Sequence, residues 1–221
     1  MKNRHLLNLA LIWSLFLSIP ALAYDFELKS GDILLQELNC VSCQRIASET
    51  GSRFSHSALL IRSQETGEFV VVEALGSVKE LSLKEFVERS APGASVQVMR
   101  SFELERHLSK WGSSIENQLT QTYYNSFDGL GFDRLYLWDR MDEQGRPMLY
   151  CSEFVVKFLN HFLEDDFSAR PLDFSRNWDF WQSYYQGNVP QGTPGNSPGD
   201  LERDSKLYEV GEIWADTLLL N

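Results

Sequence analysis

The sequence is poor in cysteine, histidine and positive charge. It contains 3 cysteines and 4 histidines in 221 residues, and 20 Lys and Arg residues face 31 Asp and Glu residues, which leaves a net charge of −11 at pH 7. An acidic surface repels phosphate groups. The composition therefore argues against nucleic acid as a partner and against tight binding to anionic membranes.

The apolar run near the N-terminus is too short for a membrane span. In residues 1–23, a basic start, "MKNRH", precedes the 14-residue run "LLNLALIWSLFLSI", and "ALA" follows before Tyr24. This is the pattern of a cleaved signal peptide, and roughly 20 apolar residues are needed to cross a bilayer. We predict a periplasmic or secreted protein that begins at Tyr24 and keeps no stable membrane anchor after cleavage. An uncleaved anchor is the alternative.

The rest of the chain predicts one α+β domain with an additional C-terminal segment. Residues 24–186 alternate between strand and helix patterns, which favours a small antiparallel sheet packed against helices. Residues 187–200 contain three prolines and four glycines, so they are predicted to be a linker or surface loop without regular structure. Residues 201–221 are apolar enough to dock on the same domain.

Individual elements follow from apolar periodicity and turn residues. Ser82 and Glu85 have the spacing of a capping box, and Gly112 interrupts a long helical pattern. Strands are predicted at 31–38, 55–63, 68–75 and 95–101, and helices at 40–51, 81–90, 104–127 and 152–163. Residues 128–147 are rich in turns and carry four large side chains that either line a pocket or pack on the core: Phe132, Tyr136, Leu137 and Trp138.

The cysteine count singles out Cys151. An exported protein meets an oxidising compartment, where Cys40 and Cys43 could pair and leave Cys151 as a free thiol. Cys151 directly precedes the amphipathic helix predicted at 152–163, and a helix N-terminus favours the thiolate form of a cysteine. A buried structural cysteine is the alternative.

A nucleophilic thiol needs a base, and the base needs a group that orients it. His56 begins a strand and shares a face with Ala58 and Leu60, so a polar partner is expected. Glu73 is the only acid inside "FVVVEALG" on the next strand. A loop at residues 63–66 would place His56 opposite Glu73, whereas a tighter turn would offset them by about four residues; the residues do not choose between these registers.

Four motifs in order resemble a known family. "GDILLQ", "FSHSALL", "VVVEA" and "LYCSEFVVKFL" resemble the circularly permuted, YiiX-like branch of the NlpC-type papain-like cysteine hydrolases, over about residues 30 to 163. The resemblance implies a permuted papain-like fold in which Cys151 is the nucleophile, His56 the general base and Glu73 its orienting group. It also implies an oxyanion hole formed by the Cys151 backbone N–H and a side chain, Gln36 or, failing that, Tyr150.

The CxxC formed by Cys40 and Cys43 admits three interpretations. A structural disulfide is expected, two free thiols are the second choice, and a thiol–disulfide exchange motif is the third; two cysteines without further ligands do not make a zinc site. The sequence thus predicts an exported thiol hydrolase of amide or ester bonds without metal or cofactor. Its substrate is a peptidoglycan-derived peptide or a lipid or N-acyl compound. A catalytically silent binding module and a CxxC redox protein are the competing hypotheses.

Overall fold

The computed structural model describes residues 26–216, so the predicted signal peptide and the last five residues lie outside the described residues. The strands are β1 (Ile33–Gln36), β2 (His56–Arg62), β3 (Phe69–Leu75), β4 (Ser77–Leu81), β5 (Val96–Ser101), β6 (Gly131–Phe132), β7 (Met148–Leu149), β8 (Arg170–Pro171), β9 (Pro194–Gly195) and β10 (Leu207–Ile213). The helices are α1 (Val41–Thr50), α2 (Leu83–Glu88), α3 (Phe102–Trp111), α4 (Ser113–Ser126), α5 (Cys151–Leu159), α6 (Trp178–Tyr184) and α7 (Pro198–Glu202).

One sheet organises the described residues. Its strand order is β10-β5-β1-β2-β3-β4-β6-β7, and all neighbours are antiparallel except the short parallel pair β6 and β7. β8 and β9 pair separately. The predicted α+β class with an antiparallel sheet packed against helices is confirmed.

The sheet is covered on both faces because its central strands are apolar on both sides. On β2, Leu59 belongs to the same buried cluster as Phe154 of α5, whereas Ala58 belongs to the cluster of Phe86 of α2. Successive strand residues point to opposite faces. The helix that begins with Cys151 therefore lies on one face of the sheet, and α2 lies on the other.

Several predicted helix ends are confirmed. Ser82 and Glu85 form the capping box that begins α2, and Gly51 ends α1 in the left-handed conformation, with φ of 62°. Gly112, at φ of 48°, separates α3 from α4. Strand β4, which precedes the capping box, was missed by the sequence prediction.

The register of the β2–β3 hairpin differs from both predicted registers. Arg62 pairs with Phe69 and Ala58 with Glu73, so His56 and Glu73 are offset by two positions along the strands. The reason is the turn: Ser63 pairs with Glu68, donating its N–H to the Glu68 carbonyl over 2.8 Å, which leaves four loop residues. Since side chains alternate with a period of two, the imidazole and the carboxylate still share a face.

The prediction for residues 187–200 is wrong in its second half. This half contains β9 and the start of α7, and residues 195–199 are buried. Ser197 caps α7 by accepting from the Asp200 N–H, and Pro198 occupies the first helical turn, where a missing N–H costs nothing. The segment after it forms β10, which pairs with β5.

Gly31, just before β1, offers a test of this packing. Its φ is 85°, and an added Cβ would lie 2.2 Å from Cδ2 of the buried Leu104, whereas Gly67 has a similar φ of 72° with open space around it. Both Gly→Ala changes incur a left-handed strain of about 1 kcal/mol, but Gly31→Ala is expected to lower the free energy of unfolding by roughly 1–3 kcal/mol more. Denaturant unfolding of both variants measures the difference, and equal losses would contradict the packing described.

Candidate active site

The thiol lies at the first residue of a buried helix. Tyr150 is the extended N-cap residue and Cys151 begins α5, immediately after the short strand β7. Side chains along α5 are buried against β2 and β3, which fixes the helix on the sheet. The Cys151 sulfur accepts hydrogen bonds from the backbone N–H groups of Ser57 and Ser152, and the side chain is almost fully buried. Unpaired N–H groups at a helix start stabilise a negative sulfur.

The other two predicted residues meet on the α2 face of the sheet. His56 Nε2 lies 2.7 Å from Glu73 Oε2, and both side chains are buried. The imidazole also forms a hydrogen bond with the Cys151 sulfur; since Nε2 contacts the carboxylate, Nδ1 is the ring nitrogen left for the sulfur. The structure therefore brings Cys151, His56 and Glu73 together in one chain of hydrogen bonds.

This arrangement favours a charged thiolate and imidazolium. Burial acts to lower the pKa of His56, but its hydrogen bonds to Cys151 and Glu73 raise that pKa to about 9. Burial acts to raise the pKa of Cys151, but the hydrogen bond from His56 and the two backbone N–H groups bring it below that of an ordinary thiol. The two shifts have the directions that favour transfer of the thiol proton to the imidazole.

Arg89 is a member of the site that the sequence prediction missed. It follows α2 and donates two hydrogen bonds to Glu73, from Nη1 to Oε1 over 2.9 Å and from Nη2 to Oε2 over 2.6 Å. Lys79 Nζ lies 3.9 Å from Oε1. Despite burial, hydrogen bonds from His56 and Arg89 lower the pKa of Glu73 to about 2. A basic residue at the end of a predicted helix was the only sign of Arg89 in the sequence.

The two residues predicted for the oxyanion hole have different surroundings. The Gln36 amide nitrogen donates to the Phe86 carbonyl and, over 2.9 Å, to the Ser90 hydroxyl, and the side chain is fully buried. Because both amide protons are engaged against α2, the geometry argues against Gln36 as an oxyanion donor. The Tyr150 hydroxyl accepts the Asn196 N–H over 3.0 Å, beside the thiol.

A pocket of about 230 Å³ opens at Cys151. Its apolar lining comes from Ile46, Tyr136, Tyr150, Leu172, Phe174 and Trp181, and its charged lining from Glu49, Asp173, Asp200 and Arg203. Within residues 128–147, Tyr136 lines the pocket, whereas Phe132 and Trp138 pack on the core. Both predicted roles of this segment, lining a pocket and packing on the core, therefore occur, for different side chains.

Tyr136 has an uncommon backbone conformation. It adopts a φ of 52°, and nearby Asp139 a φ of 62°; such values are uncommon for residues other than glycine. Burial first, and then the neighbouring Tyr184 and Cys151, raise the pKa of Tyr136. The phenol thus keeps its proton, and the side chain lines the pocket beside Cys151.

The remaining cysteines form a disulfide. Cys40 and Cys43 are joined in the structure, and Cys40 caps α1 by accepting from the Cys43 N–H. Cys151 is the one free cysteine. The same helix α1 carries Ile46, which lines the pocket.

Comparison with known proteins places the chain in a family. The family described as permuted papain-like amidase enzyme, YaeF/YiiX, matches residues 27–210. The chain belongs to this family. It is 32% identical over 166 residues to the uncharacterized protein YiiX of Escherichia coli strain K12, covering 74% of this chain and 69% of that relative.

A solved structure shows the same fold. The crystal structure titled metalloprotein YiiX from Escherichia coli O157:H7 has a TM-score of 0.69 and 23% identity, and covers 84% of this chain and 98% of that one. Within residues 26–216 of this chain, no group of three or more His, Cys, Asp or Glu side chains could hold a metal ion, so no chemical step is assigned to one. None of the helices in that range is long and apolar enough for a membrane span.

Alkylation tests the ionisation of Cys151. An ordinary cysteine ionises at about pH 8.5. For Cys151 we expect a lower midpoint, that is, a lower pH at which the rate of alkylation by iodoacetamide is half its maximum. His56→Ala removes the stabilising imidazolium and is expected to raise this midpoint by about one pH unit or more. Rates are followed by intact-mass spectrometry from pH 4 to pH 10.

The exposed His161 provides the matched control, since His161→Ala leaves the site intact. An unchanged midpoint in the His56 variant would contradict the thiolate–imidazolium pair.

Proposed function

We propose that the protein is an exported thiol-dependent hydrolase that cleaves amide or ester bonds through an acyl-enzyme. The observation that carries this proposal is the buried His56 imidazole, hydrogen-bonded on one side to Glu73 and on the other to a thiol at a helix N-terminus. Membership of a papain-like amidase family supports a hydrolase in general. A site built only for binding has no need of this pair of opposite charges.

The geometry supports a two-step reaction. The Cys151 thiolate attacks the substrate carbonyl, and the His56 imidazolium gives its proton to the leaving nitrogen or oxygen, which leaves a thioester. His56 then removes a proton from water, whose oxygen attacks the thioester and releases the acid and the thiol. Glu73 keeps the imidazole oriented and stabilises its positive charge in both steps.

Two donors beside the sulfur suit the developing oxyanion. The Cys151 backbone N–H belongs to the first turn of α5, where N–H groups lack a partner within the helix. The Tyr136 hydroxyl lies in the same pocket and keeps its proton. We assign the oxyanion hole to these two groups, with Tyr150 as a wall of the pocket.

The pocket suits a substrate with an apolar part and a polar part. Phe174 and Trp181 offer an aromatic surface, while three carboxylates and one guanidinium lie among the lining groups. A peptidoglycan-derived peptide and a lipid or N-acyl compound both meet this description. Export through the predicted signal peptide would give the enzyme access to either.

Substitution of the nucleophile and its orienting acid tests the proposal. With p-nitrophenyl esters, N-acyl p-nitroanilides and purified muropeptides as substrates, Cys151→Ser is expected to abolish turnover. Glu73→Gln, which leaves the imidazole without its carboxylate, is expected to lower kcat by roughly 100-fold. Glu65→Gln, an exposed acid in the turn between β2 and β3, is the control. Full turnover by Cys151→Ser would rule out the mechanism.

The alkaline limb of the pH profile tests the role of the His56 proton. As the pH rises through about 9, His56 loses the proton that an amide leaving group requires, so anilide turnover is expected to fall. A p-nitrophenolate leaves without protonation, so ester turnover should fall less. The two profiles are measured from pH 6 to pH 10, and identical alkaline limbs would count against His56 as the general acid.

A further inference from the structure

We propose that Arg89 is a positioning residue that tunes the ionisation of the site through Glu73, an inference that rests on the proposed function. The pair is bidentate: the two terminal nitrogens of the guanidinium donate to the two oxygens of the Glu73 carboxylate, over 2.9 and 2.6 Å. Bidentate pairs of this kind fix the plane of the carboxylate. The oxygen that contacts His56, Oε2, is one of the two that Arg89 holds.

Among the described residues, Glu73 is the only side chain that accepts hydrogen bonds from this guanidinium. The terminal nitrogens contact Glu73, and the buried Nε has no hydrogen-bond partner within residues 26–216. The guanidinium also lies 5.4 Å from the centre of the Phe86 ring, and the same ring lies 5.8 Å from the imidazole. Phe86 therefore supports both partners of the carboxylate from one side.

The position of Arg89 gives its charge an effect on the thiol. Glu73 is fully buried, and a buried carboxylate needs compensation by positive charge. The titratable or charged groups facing the Glu73, His56 and Cys151 chain are Arg89 after α2, Lys79 on β4, and Tyr136 and Tyr150 beside the sulfur. Of the two cations, Arg89 forms the hydrogen bonds and is less exposed, at 31% against 48%.

Loss of the Arg89 charge is expected to shift the pKa of the thiol and of the imidazole in the same direction. A cation near the site favours the thiolate and disfavours the imidazolium, so its removal raises the pKa of both groups. Arg89→Gln is therefore expected to shift both limbs of the pH profile towards higher pH, by about half to one unit. Arg89→Lys keeps the charge but not the bidentate hydrogen bonds, so it should leave the midpoint of the pH profile unchanged and lower kcat about 10-fold.

The decisive measurement is the pH profile of Cys151 alkylation by iodoacetamide, which needs no substrate. Arg62→Gln is the matched control, because it removes the same charge from the far end of the strand that begins with His56. Arg89→Met, whose side chain can still cover Phe86, is a second neutral variant in case Arg89→Gln does not fold. Thermal unfolding of each variant confirms that it is folded.

The outcomes separate the two proposals. The inference is supported if the wild type has a lowered midpoint, if Arg89→Gln or Arg89→Met raises it, and if Arg62→Gln leaves it unchanged. A lowered midpoint that neither neutral variant moves overturns the role of Arg89 and leaves the hydrolase intact. A wild-type thiol that ionises like an ordinary cysteine overturns both.

Discussion

The hydrogen bond between His56 and Glu73 is the interaction on which the site depends. It links β2 to β3, and the Glu73 carboxylate that accepts it is fully buried. The burial of an unpaired carboxylate costs several kcal/mol, about as much as the whole stability of many domains, so Glu73 in this position depends on its partners. His56 and Arg89 supply the compensating positive charge, and the same contacts that make the fold possible leave the imidazole oriented towards the sulfur.

The site lies at one end of β2, where groups from both faces of the sheet can come together. The carboxylate and its arginine lie on the α2 face, whereas α5 packs on the opposite face. The thiol and the imidazole can meet because each stands at an end: Cys151 is the first residue of α5, and His56 is the first residue of β2. A cysteine one turn further along the helix would face the buried cluster of Phe154 and have no access to the ring.

The sequence predicted this arrangement to the extent that it depends on local patterns. Strand alternation placed His56 and Glu73 on one face, and that conclusion survived a two-residue error in register, because such a shift preserves the face. The register itself depends on the hydrogen bonds of Ser63, which composition does not reveal. Gln36 was assigned by analogy, and its amide is engaged by the carbonyl of Phe86, a contact between elements that are distant in sequence. Arg89 was missed for the same reason.

The pocket walls were the least predictable part, because they consist of segments without periodicity. The wall formed by α6 is held to α1 through Glu49, which accepts hydrogen bonds from the Asn177 N–H over 2.6 Å and from Trp181 Nε1 over 2.9 Å. The other end of α1 begins at the Cys40–Cys43 disulfide. A bridge that closes so short a loop constrains the unfolded chain little, so its main effect is to fix the first turn of α1. The disulfide thereby acts on the pocket through the helix that carries Glu49, which is a structural role for the CxxC.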